Sequence, residues 1–259
     1  MTEPHATVIL AISADGKIAD AVRSPARFGS ANDKAHLEQQ VAASDAVLFG
    51  NGTLQAYGTT MRVISPELLK QRELQGKPPQ PVQIVCSRSS QFDPNLRFFQ
   101  QPVPRWLLTG GGEEGKRGRG EDGESQTPTN LSLPSSFDVR CSMFDRTIYA
   151  KTAGGEIDWI DAFQQLANFD IKRLAILGGG KLVASVLAAG LVDELWLTVC
   201  PLILGGADAP TPVEGKGFLA DLAPKLELLA VKQVGQEVFL HYRVDRPQSE
   251  NTHKQGKLY

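Results

Sequence analysis

Three consecutive glycines at positions 178–180 follow the apolar run 174–177 and precede an apolar pattern with helical spacing. Glycine lets a backbone approach a ligand without an intervening side chain, and the amide groups that open a helix point at anions. The segment therefore suits a phosphate, such as a nucleotide diphosphate. Its spacing fits neither the dinucleotide fingerprint nor the phosphate loop of nucleotide triphosphatases, so a plain tight turn is the alternative.

The residues after this turn predict a short helix. Its apolar positions are Leu182, Val183, Val186, Leu187 and Leu191, and Gly190 stands where a glycine commonly ends a helix. A short helix after a glycine turn is typical of a strand-to-helix corner that faces a ligand.

A second group of reactive side chains follows the first apolar run. Ser13, Asp15 and Lys17 place a hydroxyl, a carboxylate and an ammonium within five residues. Loops at the carboxyl ends of strands hold the ligands of α/β sheets. The alternative is an Asp-Gly turn with Lys17 in solvent.

Two further corners follow apolar runs. After the run 46–50, Gly52 permits close backbone approach, and the Thr53 hydroxyl either meets a phosphate oxygen or caps the next helix. After the run 81–86, Ser87 and Arg88 either meet a ribose or phosphate group or form a polar turn.

The elements that must position these corners alternate along the chain. Continuous apolar runs predict strands buried on both faces at 6–12, 46–50, 81–86, 105–109, 147–150 and 174–177. Helices are predicted near 31–43, 65–75, 156–169 and 181–189. Three more strands, 194–199, 225–231 and 236–242, follow without helices, and the last two should form an antiparallel hairpin. We predict an α/β fold whose mixed, mostly parallel sheet has helices on both faces.

Composition limits the classes of function. The 259 residues suit a single domain, which we place at 1–244, with a mobile insertion at 110–130 and a flexible tail at 245–259. A net charge of −2 offers no basic field for nucleic acid or an anionic membrane. The start of the chain lacks a secretion signal, which predicts the cytoplasm. Cys86, Cys141 and Cys200 lack metal-ligand spacing, so we expect no metal site.

The corners occur in an order that resembles a known family. The matching segments are 10–19, 45–54, 178–182, 190–195 and the Pro-x-x-Leu-Gly-Gly loop at 201–206. Together they resemble the reductase domain of riboflavin biosynthesis, which shares the dihydrofolate-reductase-like fold, and the resemblance spans about residues 5 to 243. Many bacteria fuse that domain behind a zinc deaminase, whose signature is a His-x-Glu motif followed by Pro-Cys-x-x-Cys. This sequence has no such pair of motifs.

This resemblance implies NADPH as hydride donor, a ribosylamino-pyrimidine phosphate as substrate, and a homodimer. The implied cofactor-binding residues are Ala11, Ser13, Thr53, Ser87, Gly178, Gly179, Gly180, Lys181, Leu182, Val183, Ala184 and Ser185. A hydride transfer of this kind also needs a positioned proton donor.

The sequence departs from the family on the substrate side. Ile9 and Leu177 stand where a lysine and an acidic residue are common, Val41 stands where an arginine is common, and Tyr57 replaces a carboxylate. The remaining titratable candidates for catalysis are Asp15, Lys17 and Tyr57. Lys17 would hold a phosphate or donate a proton, Asp15 would orient Lys17, and Tyr57 would cover the nicotinamide or bind the substrate.

Three functions follow from these observations. The first is reduction of the ribosyl group of 5-amino-6-(5-phosphoribosylamino)uracil, or of its relative in the other deamination state, to ribityl. The second is a reductase of the same fold and cofactor that acts on another heterocycle, such as a pterin. The third is a nucleotide-binding protein without catalysis.

Overall fold

The computed structural model describes residues 3–25, 27–111 and 143–245. Its strands are β1 (His5–Ser13), β2 (Ala46–Gly50), β3 (Val82–Cys86), β4 (Arg105–Gly110), β5 (Arg146–Ala150), β6 (Thr152–Ala153), β7 (Glu156–Ile157), β8 (Arg173–Ile176), β9 (Glu194–Cys200), β10 (Leu226–Val234) and β11 (Glu237–Val244). Its helices are α1 (Ala31–Ala43), α2 (Asn51–Tyr57), α3 (Pro66–Leu74), α4 (Trp159–Asn168) and α5 (Gly180–Ala188), with a 3₁₀ turn at Arg97–Gln100.

The chain forms two compact units. The first, which we call the β2 unit, comprises Glu38–Leu174 with the N-terminal residues to Pro4. The second, the β1 unit, comprises His5–Leu37 and the chain from Ala175 onward. The domain limits predicted from the sequence stay a prediction, and most of the predicted insertion and tail lies outside the described residues.

In the β1 unit the strands lie in the order β10-β11-β9-β1. β1 and β9 are parallel, with Ala11 opposite Thr198 and Ser13 opposite Cys200. β11 is antiparallel to both β9 and β10, as the predicted C-terminal hairpin requires. Residues Ala6–Leu10 of β1 are all buried, which explains why apolar residues predominate in this strand.

In the β2 unit the strands lie in the order β2-β3-β4-β5, and all three pairs are parallel. Residues Ala46–Phe49 of β2 are at most 3% exposed, which explains its continuous apolar sequence. The fold class predicted from the sequence, an α/β fold with a mixed and mostly parallel sheet, is confirmed.

The helix ends follow local sequence signals. Asp158 caps α4 by accepting hydrogen bonds from the amides of Ile160 and Asp161. At the end of α5, Gly190 adopts φ +69°; its amide bonds Leu187, and the Leu191 amide bonds Val186. This is the double hydrogen bond of a Schellman motif, so the predicted helix end at Gly190 is confirmed.

Helix α2, the β6–β7 hairpin and the 3₁₀ turn were not expected from the sequence. α2 buries a single residue, Leu54, so it carries no periodic apolar pattern. The β6–β7 hairpin has two residues in each strand and is exposed except at Ile157, which makes α4 start at Trp159 and not near 156. The 3₁₀ turn at Arg97–Gln100 is also too short to give a pattern.

One charged side chain is almost fully buried in the β2 unit. Arg72, on α3, is 1% exposed and donates hydrogen bonds to the carbonyl oxygens of Ala42, Ser44 and Pro78 at 2.7–2.8 Å. Desolvation lowers the pKa of this guanidinium, and Asp45 opposes the shift. Arg72 therefore supplies donors to two carbonyl groups at the C-terminal end of α1 and to a third after α3.

Candidate functional site

The glycine turn opens α5 in the β1 unit. Gly179 is the N-cap residue and has no side chain with which to bond the first turn. Gly178 has φ +99°, and the Gly178–Gly179 peptide bond is cis. The amide groups of the first turn of α5 are thus left without a side-chain cap, which is the arrangement that binds anions at a helix N-terminus.

Gly180 is required by packing inside the protein. A Cβ at this position would overlap the Thr211 carbonyl oxygen and lie 2.7 Å from Cγ of Glu214. The Gly180 carbonyl also accepts a hydrogen bond from the Glu214 amide at 3.2 Å. The sequence suggested that all three glycines clear space for a ligand, but at Gly180 the space is taken by the 211–214 segment.

In the rest of the predicted α5 corner, backbone groups are more available to a ligand than side chains are. Leu182 and Val183 are buried, and the Ser185 hydroxyl donates to the Leu182 carbonyl at 2.9 Å. Lys181 is exposed and Ala184 is half-buried. A phosphate at this corner would therefore meet amide groups and the Lys181 ammonium.

Asp15 is held in place by three donors. The Ser13 hydroxyl donates to its Oδ1 at 2.6 Å, and the amides of Leu204 and Gly205 donate at 3.0 and 2.7 Å. These hydrogen bonds, the one from Ser13 above all, lower the pKa of Asp15 from 3.8 to about 2. Asp15 therefore stays ionised near neutral pH and fastens the 204–205 turn.

Lys17 lies beside Ser13 but not against the Asp15 carboxylate. Its amide donates to the Ser13 hydroxyl at 2.9 Å, and its Nζ donates to the Ala209 carbonyl at 3.3 Å. Asp15 hydrogen-bonds Ser13, Leu204 and Gly205, so an orienting role toward Lys17 has no support in this geometry.

The remaining predicted residues lie in the β2 unit. β2 and β3 are parallel with Gly50 opposite Cys86, so Thr53 and Ser87 follow neighbouring strands at the same edge. Thr53 lies inside α2, whose N-cap residue is Gly50, so it does not cap that helix. Ser87 is 5% exposed and its hydroxyl accepts a hydrogen bond from the Ser90 amide at 3.2 Å.

Tyr57 is the last residue of α2. It is 36% exposed, and Gly58 ends the helix in the left-handed conformation.

Arg88, which follows β3, forms an ion pair with Glu156 at 2.8 Å. The two side chains are 70% and 74% exposed, so this ion pair contributes little to stability. The assignment of Asp15, Lys17 and Tyr57 to catalysis stays a prediction.

A polar cluster that the sequence did not suggest lies at the start of α1. Glu237, 3% exposed, accepts hydrogen bonds from the amide and hydroxyl of Ser30 at 2.7 and 2.5 Å. Asp33 is half-buried, and desolvation raises its pKa against a smaller, opposing effect of Thr198. Burial also raises the pKa of the Cys200 thiol to about 12. Asp33 is unremarkable as a sequence signal, because acidic residues are common in a first helical turn.

Two of the four positions that depart from the family, Ile9 and Val41, are buried. Ile9 is 6% exposed and Val41 is fully buried, each within its own unit. Within the described residues, no three His, Cys, Asp or Glu side chains are placed to hold a metal ion. None of the described helices has the length and apolar character needed to cross a membrane.

Comparison with known proteins gives a consistent set of relatives. A sequence model of the RibD C-terminal domain family matches residues 4–240. The 2,5-diamino-6-ribosylamino-4(3H)-pyrimidinone 5′-phosphate reductase of Archaeoglobus fulgidus is 25% identical over 243 residues, covering 94% of this chain and 99% of the relative. Riboflavin biosynthesis protein RibD of Escherichia coli is 26% identical over 242 residues, which is 92% of this chain but 59% of the relative.

Solved structures show the same fold. A pyrimidine reductase-like protein from Corynebacterium diphtheriae superposes with a TM-score of 0.71 at 23% identity, covering 94% of this chain and 93% of that one. A deaminase/reductase from Thermotoga maritima gives a TM-score of 0.67 at 16% identity, with 94% of this chain covering 57% of it. The fold expected from the resemblance is thereby confirmed.

Proposed function

Because this chain belongs to the RibD C-terminal domain family, we propose that it is an NADPH-dependent reductase of riboflavin biosynthesis. Its substrate is 5-amino-6-(5-phosphoribosylamino)uracil or the corresponding diamino-pyrimidinone, whose ribosyl group it reduces to ribityl. The observation that carries this proposal is the match over residues 4–240, together with a reductase relative of which the chain covers 99%. As an enzyme of small, polar metabolites it would act in the cytoplasm.

The residues at the glycine turn fit a dinucleotide. NADPH supplies a hydride when it is bound, and the protein must orient its diphosphate. The uncapped first turn of α5 and the exposed Lys181 suit that anion. Glu214 places an unfavourable charge near Gly180, and Arg23 pairs with its carboxylate at 3.1 Å. A cofactor-binding role of Thr53 and Ser87, in the β2 unit, stays a prediction from the sequence.

A direct assay tests this function. The purified protein is mixed with NADPH and each of the two pyrimidines, and NADPH absorbance and the mass of the product are followed. We expect NADPH consumption and a product heavier by two hydrogens with one of the two substrates, and weaker use of NADH. Absence of turnover with both pyrimidines, despite NADPH binding, would exclude this function.

A second candidate is a reductase with the same cofactor and another substrate. It is favoured by the burial of the apolar side chains Ile9 and Val41 at positions where family members commonly carry charge. A charged hydrogen bond contributes roughly 1.5–3 kcal/mol, so losing several changes which substrate binds. The same assay with pterin and quinone acceptors separates the two candidates, and NADPH binding without any turnover would indicate a nucleotide-binding protein.

We also propose that the protein forms a homodimer through β10. This strand lies at one end of the strand order and exposes Leu226, Leu228 and Val231 at 46%, 52% and 57%. An exposed apolar edge strand tends to associate with another chain, and a second copy of this protein would bury it. Light scattering after size exclusion should give twice the chain mass, and Leu228→Lys should shift the protein toward monomer.

A further inference from the structure

An aromatic cluster in the β1 unit joins the first part of α1 to the sheet. The centroid of the His36 ring lies 4.6 Å from that of Trp196 on β9 and 5.2 Å from that of Phe239 on β11, at interplanar angles of 60° and 69°. On β11, the His241 ring stacks on Trp196 at 3.9 Å and 6°. Phe239 is 4% exposed. The indole of Trp196 is thus in contact with two histidine rings, and His36 is the one that α1 contributes.

One nitrogen of the His36 ring is buried without a partner. It is Nε2, and no described residue forms a hydrogen bond with it. In the neutral imidazole one ring nitrogen carries no hydrogen, so this position can be occupied by that nitrogen at small cost. Protonation would place an N–H donor and a positive charge there, with no acceptor in reach. The packing around His36 therefore favours the neutral ring.

The charged groups of the neighbouring strands do not compensate for a positive charge on His36. Lys232 of β10 and His241 of β11 both oppose its protonation electrostatically. Glu194 of β9 is the acid on the same face of the sheet as Trp196, and its carboxylate already contacts His241 at 3.0 Å and His5 at 3.4 Å. A proton on His36 is therefore resisted by charge as well as by burial.

Two more acids face this part of α1. Glu237 of β11 accepts hydrogen bonds from the amide and hydroxyl of Ser30 at 2.7 and 2.5 Å, and Asp33 lies one helical turn before His36. Neither lowers the cost of a charge on His36 appreciably. Desolvation, followed by the charges of two cationic side chains, lowers the pKa of His36 from its ordinary value of 6.5.

We propose that protonation of His36 releases the first part of α1, residues 31–37, from the sheet of the β1 unit. The neutral ring packs against Trp196 and Phe239, and the protonated ring moves to solvent, where water solvates both N–H groups. The contact lies on the face of the sheet that also carries the predicted cofactor corner. Trp196 and Thr198 point to the same face of β9, and Thr198 lies opposite Ala11. Acid therefore acts on the same face as that corner.

The lowered pKa sets the direction of the pH dependence. The packed His36 ring binds a proton less tightly than the same ring in water, so the packed state is fully favoured above pH 6.5 and loses stability as pH falls below that value. The loss ends once pH lies below the pKa of the packed ring. A single titrating group raises the ratio of released to packed helix by at most about tenfold for each pH unit.

Hydrogen exchange of the backbone amides of residues 34–37 tests this release. The first of these amides donates to the Ser30 carbonyl at 3.0 Å, so its exchange reports opening of the helix start. Exchange is followed by NMR from about pH 8 to about pH 5 and corrected for the intrinsic rate of an open chain. In the wild type we expect the corrected opening constant to be flat above pH 6.5 and to rise below it, by up to about tenfold per pH unit.

Substitutions identify the group that titrates. His36→Phe keeps a ring against Trp196 but takes no proton, so its opening should be nearly independent of pH. His36→Gln should also be independent of pH, and more open because it lacks the ring. His5→Gln is the matched control, since His5 contacts the carboxylates of Asp193 and Glu194 at 3.5 and 3.4 Å and should leave the wild-type dependence intact. A pH dependence that survives in both His36 variants, or that His5→Gln removes, would overturn the proposal.

Titration of the imidazole groups in the wild-type protein provides a measurement without any substitution in the cluster. Two-dimensional ¹H–¹⁵N spectra follow the ring nitrogens of His36, and the backbone amide signals of residues 34–37 are followed in the same samples. We expect His36 to titrate below 6.5 and these amide signals to change with the same midpoint. A His36 midpoint at or above 6.5, or amide signals that do not follow it, would contradict the release of α1. No cofactor or pyrimidine is present, so the result stands apart from the outcome of the reductase assay.

Discussion

Oδ2 of Asp15 accepts a hydrogen bond from the backbone amide of Gly205 at 2.7 Å, which joins the loop after β1 to the loop after β9. The Leu204 amide and the Ser13 hydroxyl donate to the same carboxylate. The Asp-Gly-Lys corner that looked reactive in the sequence is thus built around an ionised carboxylate that organises two loops. Catalysis by Asp15 as an acid is correspondingly disfavoured.

Asp15→Asn should lower the melting temperature near neutral pH, because an amide accepts these hydrogen bonds less well than a carboxylate does. The pKa of Asp15 is lowered in the folded protein, so its contribution to stability is present above 3.8 and is lost as pH falls toward about 2. The difference in melting temperature from wild type should shrink over that range. The control is Asp208→Asn, at an exposed position in the same loop. If Asp15→Asn lowered the melting temperature equally at the two ends of this pH range, the prediction would be contradicted.

Gly180→Ala should destabilise the β1 unit by roughly 1–3 kcal/mol, the usual cost of overpacking. The added methyl group meets the backbone of Thr211, which cannot rotate away as a flexible side chain would. Urea unfolding measures the free energy. Gly52→Ala is the matched control, since a Cβ there has no neighbour within 4 Å and alanine favours a helix by about 1 kcal/mol. Equal free energies of unfolding for the two variants would contradict the prediction, because they would show that the 211–214 segment moves to accommodate the methyl group.

Arg72→Met should cost roughly 1–3 kcal/mol for each buried carbonyl group left without a donor. Methionine fills much of the volume of arginine but cannot bond Ala42, Ser44 or Pro78. Lys70→Met on the exposed side of the same helix should change the free energy of unfolding by no more than about 0.5 kcal/mol. Chemical denaturation of both variants checks the prediction, which fails if the two losses are equal.

Asp33→Asn should leave stability unchanged or raise it near neutral pH. The folded pKa of Asp33 lies above its ordinary value of 3.8, so the folded state binds the proton more tightly than the unfolded chain. Wild-type stability therefore declines as pH rises from 3.8 through the folded pKa, and the uncharged amide avoids that loss. Melting temperatures across this range measure the effect. A destabilised Asp33→Asn protein above the folded pKa would argue that Asp33 is a favourable ionised group.

Much of the fold could be predicted from the spacing of apolar residues and glycines along the chain. The buried strands β1, β2 and β3 are mostly apolar runs, and the end of α5 at Gly190 follows from a glycine after an apolar helical pattern. These features depend on residues that are neighbours in the chain, so the sequence predicts them. α2 was missed because its one buried residue, Leu54, leaves no periodicity to detect.

By itself, the amino-acid sequence determined the order of strands and helices, the glycine turn before α5, and the family to which those motifs belong. Only the tertiary structure decided which donors hold Asp15, that Gly180 makes room for Thr211, and that Ser30 before α1 donates to Glu237 of β11. The physical reason is that propensity and periodicity act over a few residues. The protonation and reach of a side chain depend instead on strand register and burial, which join residues far apart in the chain.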